Sequence, residues 1–210
     1  MVVVLAACSG GSSKKSSSTS SSPHHAATNA AINIQLQPVL VADSGPKHST
    51  LDDGTRDKAL SLVNAYVNQG VMKPLTSGAK VGDLSAVFDT NALAHAIGAD
   101  APTLFDEGFA KVSALKAKTA TVTLTDLADQ DGSPLMIGAA LILDLEGTSA
   151  GKAVHIHRLA ELALAPDNGT WKIMGYDVAV QRDGAGVPIA AVSSTASSTA
   201  ASPSSGASKP

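Results

Sequence analysis

Two histidines one residue apart, His155 and His157 in the stretch "HIH", form the pair in this chain best suited to holding a metal ion. On an extended strand, alternation sets both imidazoles on one face. Two imidazoles so placed suit zinc or copper, with Glu161 the nearest further ligand. A metal site needs three or four ligands, so the competing reading puts both rings among polar neighbours on the solvent face of a strand, and no metal or other cofactor is expected. His24 and His25 lie in a serine-rich stretch with still fewer partners. The alternative chemistry is that of a carboxylate base held by an apolar wall beside a tyrosine donor. Tyr66, Tyr176, Asp89, Asp106 and Asp177 are the right types, but no spacing picks out a pair. Asp89 reads as a helix cap and Asp106 as part of the exposed turn of a short helix, so no catalytic residue is named. Aromatic residues are few, which gives weight to their positions. Phe88, Phe105, Phe109 and Trp171 read as core; alternatively Tyr66, Phe88, Phe105, Trp171 and Tyr176 line a cavity for an apolar ligand. "GAG" at Gly184–Gly186 precedes no helix and makes no phosphate loop.

The one cysteine, Cys8, has no partner for an intrachain bridge. The four residues "LAAC" (Leu5, Ala6, Ala7, Cys8) resemble the lipobox at which bacterial prolipoproteins are acylated and cut. Each position has a task there: Leu5 is apolar, Ala6 and Ala7 are small enough for the signal peptidase, and the Cys8 thiol carries the diacylglyceryl group. Ser9, Gly10 and Gly11 then begin a polar tether. A secretory leader has a basic stretch and an apolar core of about 7–15 residues, and only Met1–Ala7 precede Cys8, so a start codon upstream of Met1 is expected. Two or more acyl chains hold a protein stably on a bilayer where one does so only marginally. The resemblance therefore implies a lipid-anchored protein on the extracytoplasmic face of the cell membrane.

Fifteen Lys+Arg stand against 18 Asp+Glu, a net charge of −3. Without a basic excess, nucleic acid is not expected as a partner. Lys14 and Lys15 lie close enough to Cys8 to meet anionic head groups, or simply solvate the tether. No window approaches the roughly 20 apolar residues of a spanning helix; the longest apolar run, Pro134–Leu143, has the length of a strand.

Composition divides the chain into zones. Residues 9–31 are serine-rich and too polar to bury a core, which predicts a disordered linker, and residues 186–210 predict a second low-complexity tail. Residues 32–49 form an extended lead-in in which Ile32, Ile34 and Leu36 alternate, giving an edge strand that ends or bends at Pro38. Between the two tails lies one domain, residues 50–185. Its first helix starts at a Thr50/Asp53 capping box, repeats apolar residues at Ala59, Leu62, Val63, Tyr66 and Val67, and stops at Gly70 and Pro74. Short helices are predicted over Val81–Phe88, Asn91–Ile97 and Pro102–Glu107. Four strands follow, beginning with "KTATVTLTDL" and "LMIGAALILDLE" and continuing with "AVHIHRLAELAL" and "WKIMGYDVAVQR", joined by the turns "DQDGSP", "EGTSAGK" and "APDNGT". Helices covering one face of an antiparallel meander make an α+β architecture.

That order of elements, closing on Gly169, Trp171, Lys172, Ile173, Tyr176 and Asp177, resembles the NTF2-like or cystatin-like cone fold. With the lipobox, the chain is similar to uncharacterised lipoproteins of Gram-positive bacteria that display such a domain. The resemblance implies N-terminal helices packed on a bent β-meander around an apolar cavity. Its members range from isomerases, cyclases and dehydratases to non-catalytic exported domains, and fold alone does not choose among them. The expected function is a non-catalytic binding or interaction module, with a small apolar ligand or an envelope protein as partner; a cone-fold enzyme and a structural partner of an envelope complex are the alternatives.

Overall fold

Four long antiparallel strands do most of the building: β3 (Ser113–Ala128), β4 (Pro134–Ser149), β5 (Lys152–Asp167) and β6 (Thr170–Gly184). The computed structural model describes residues 51–184 in full and the backbone of three short strands, β1 (Gln35–Leu36), β2 (Leu40–Val41) and β7 (Ser193–Ser197). The lipobox and the linker expected over residues 9–31 lie outside the described residues. The lead-in strand expected over residues 32–41 is seen as β1 and β2, one before and one after Pro38, each parallel to β3. Within the residues expected to form a C-terminal tail, β7 pairs with the free edge of β6 along Tyr176–Val180.

Tight turns set the register of the meander. Ala150–Gly151 and Asn168–Gly169 both have left-handed backbone at both positions, the geometry that lets a two-residue connection follow the twist of its strands. Between β3 and β4, the Asp129 carboxylate accepts from the backbone N–H of Asp131 at 2.9 Å and of Ser133 at 2.8 Å. Alternation then puts Val122 and Leu124 of β3 with Ile137, Ala139, Leu141, Leu143 and Leu145 of β4 on the inner face, all buried. Leu135, in the same alternation at the start of its strand, is exposed.

Helices close this inner face. Helix α1 (Asp53–Ala65) is capped by Asp52, whose carboxylate accepts from Thr55 N at 3.0 Å. The expected cap lay two residues earlier, at Thr50; an anion at the positive helix end is the more favourable arrangement. The chain does not stop at Gly70. It runs on as a π-helical turn over Tyr66–Met72 and then as α2 (Lys73–Ser77), ending at Gly78 in the left-handed conformation. Pro74 has no N–H to donate back to Gly70, and the wider hydrogen-bond spacing of the π turn absorbs that loss. Gly70 has a packing reason: a Cβ there would sit 3.1 Å from the Phe105 ring.

Residues Val81–Phe88 form no helix. The Asp83 side chain accepts from Ser85 N at 2.8 Å, which tightens a turn, and Phe88 then bridges Ile173 of β6 as a short parallel contact. Helix α3 (Thr90–Ala96) is capped by Asp89, which accepts from Ala92 N at 2.5 Å. Helix α4 (Ala101–Leu104) ends sooner than the predicted Pro102–Glu107, because Phe105 at φ −125° and Asp106 at φ 54° have both left the helical region. Helices and inner sheet face share one hydrophobic core, an α+β arrangement. Among the described residues no helix is long and apolar enough to cross a membrane.

Candidate functional site

Four of the five residues predicted to line a cavity come together at the centre of that core. Tyr66, Phe88, Phe105 and Tyr176 are all buried, and their rings contact one another rather than standing apart. Phe88 is the hub, 6.1 Å from each of Tyr66, Phe105 and Tyr176 and nearly perpendicular to all three. Tyr66 and Phe105 lie 6.5 Å apart. Edge-to-face rings at these distances match the aromatic quadrupole. Trp171, the fifth, is only half-buried and packs against the rim of the core. Phe109, expected inside, is half-buried beneath a guanidinium, with Cζ of Arg182 3.8 Å from its ring centre.

Beside the rings lies a charged cluster that sequence reasoning missed. Arg158 of β5 is fully buried. Its Nη1 donates to the Thr103 and Leu104 carbonyls at 3.1 Å each and to the Tyr66 hydroxyl at 3.3 Å; its Nη2 pairs with Asp106. Its Nε has no partner among the described residues. Arg182 of β6 approaches Asp106 from the other side, donating from Nε at 2.7 Å and from Nη2, which also reaches the Pro102 carbonyl at 3.2 Å. Asp106 is therefore buried, contrary to the exposed turn expected for it. Its left-handed backbone carries the carboxylate under the end of α4, where each oxygen meets one guanidinium.

Electrostatics follow from this arrangement. Burial pushes the Tyr66 hydroxyl above its ordinary value, an effect that Arg158 only partly opposes, so the phenol stays protonated and donates to the Leu104 carbonyl at 3.2 Å. Burial acts to lower the Arg158 guanidinium, but the Asp106 charge and the Tyr66 oxygen outweigh it and leave the group above its ordinary value. A second tyrosine is tied down as well: the Tyr176 hydroxyl donates to Asp100 at 2.7 Å.

The other predicted residues lie elsewhere. His155 and His157 do share a face, the outer one, and both are exposed. Each pairs with an acid on β4, His155 with Glu146 at 3.3 Å and His157 with Asp144. The bond from His157 holds the Asp144 carboxyl below its usual range; Lys118, with His155 contributing, does the same for Glu146. Glu161 is exposed further along β5, and no group of three metal-ligand side chains occurs among the described residues. Asp89 is the α3 cap and Asp177 is exposed on the outer face.

Arg158 was nonetheless foreshadowed. With His155 and His157 outward, alternation turns Arg158 inward with Val154, Ile156 and Leu162, and a cation on an apolar face requires a buried counter-charge. Comparison with known protein families, with curated proteins and with solved structures returns no match to the chain.

Proposed function

We propose that this chain is a lipid-anchored protein on the extracytoplasmic face of the cell membrane, and that its domain is an NTF2-like cone serving as a non-catalytic binding or interaction module. The observation that carries the reading is the engagement of the interior groups. A general base must be free to reach a substrate proton, yet both carboxylate oxygens of Asp106 are engaged, one by Arg158 and the other by Arg182. Asp100 accepts from Tyr176 and Asp89 caps a helix. An apolar ligand would have to part the Tyr66–Phe88–Phe105–Tyr176 rings to enter between helices and sheet. This favours a partner bound at the surface over a small molecule held inside. The address rests on "LAAC": the Cys8 thiol carries the lipid and the serine-rich residues that follow hold the domain off the bilayer.

Cell fractionation tests the proposal. In the native host the protein sediments with membranes and is cleaved by protease added to intact cells stripped of wall, whereas Cys8→Ala moves it to the soluble fraction. A wild-type chain found in the cytosol and shielded from that protease contradicts the reading.

A further inference from the structure

Among the described residues, the centre of the outer sheet face carries an exposed apolar pair. Ile142 of β4 and Leu159 of β5 stand directly opposite each other and remain 41% and 44% exposed. Ala140, two residues before Ile142 on β4, and Ala179, facing Leu159 across β6, are small, while Thr121 of β3 faces Ile142 on the other side. An exposed apolar pair rimmed by charged groups is a surface that a partner can cover.

The surrounding charge is acidic. On one side Asp144 is already paired with His157, and Glu146 with His155 and Lys118. On the other, Glu161 and Asp177 face each other directly across β5 and β6, and neither has an ion pair among the described residues. Like charges at directly opposed positions repel, and a cation placed between them would remove that repulsion.

We propose that this face docks a cationic polypeptide segment whose apolar side chains cover Ile142 and Leu159 while a lysine or arginine bridges Glu161 and Asp177. A second copy of the chain fits poorly, because it would set these carboxylates against their own kind. An anionic bilayer surface is repelled for the same reason. The proposal rests on the interaction-module reading above and names the partner that module takes.

The test uses the purified full-length chain under reducing conditions, titrated calorimetrically with a synthetic peptide of alternating lysine and leucine and, separately, with its glutamate–leucine counterpart. The lysine peptide is expected to bind and the glutamate peptide not to. Leu159→Ser and the double variant Glu161→Gln/Asp177→Asn should each weaken binding roughly tenfold, the size of one central contact. Asp57→Asn/Asp131→Asn, which removes two exposed charges elsewhere, should leave it unchanged. Absence of binding overturns the proposal, and so does an equal loss from the control pair, which would mean that net charge alone attracts the peptide. Because the titration takes place in solution, its failure leaves membrane attachment untouched, and failed attachment leaves the titration untouched.

Discussion

Asp106→Ala is expected to lower the stability of the domain by about 3–5 kcal/mol, because it leaves two buried guanidiniums without their counter-charge. For a domain of this size that corresponds to a fall in Tm on the order of 10–20 °C. Part of the loss is backbone strain, since alanine disfavours the left-handed φ of 54° that Asp106 adopts. Asp106→Asn separates the two effects: asparagine tolerates that conformation and keeps the shape, so its loss reports the charge alone. Replacing the whole cluster at once, Arg158→Met with Asp106→Asn and Arg182→Leu, should be milder than Asp106→Ala, because asparagine keeps the left-handed backbone and no guanidinium is left without its counter-charge. Urea denaturation with an unchanged m-value would show that these are differences in native-state stability. A single Asp106→Ala that melts like wild type would show that the guanidiniums find other acceptors or water.

Phe88→Ala should cost about 3–5 kcal/mol, the range for deleting a buried ring from a close-packed core. It removes the hub of three edge-to-face contacts at once, and Phe88 is also where the chain before α3 joins β6. Trp171→Ala, at a half-buried rim position, should cost less than half as much despite the larger ring. Denaturant midpoints for the two variants check the order. If Trp171→Ala is the more damaging, the ring cluster is not the centre of the core.

These two sites show how much of the fold was legible in the sequence. Period-two alternation and the Asn168–Gly169 turn mark the strands, because an inward position is either apolar or conspicuously not. The first helix announces itself through Ala59, Leu62 and Val63 of α1 and Tyr66 and Val67 of the π turn that continues it, all buried as expected. Gly70 misleads, since a glycine chosen for close approach to Phe105 looks the same in a sequence as one chosen to end a helix. Val81–Phe88 misleads because three apolar residues spaced for a helix instead serve one turn and a bridge to β6. The buried cluster needed two readings joined. The inward placement of Arg158 follows from alternation, but its partner Asp106 lies 52 residues away, on a turn that local pattern assigns to the surface. The His155–His157 pair shows the opposite case, where strand geometry alone places both rings on one exposed face.

The functional account turns on Cys8, and mass spectrometry of the N-terminal peptide from protein isolated from membranes of the native host tests it most directly. The account predicts that Cys8 is the first residue and carries the mass of two or three fatty acyl chains. A free Cys8 thiol within an uncut N-terminus would contradict it.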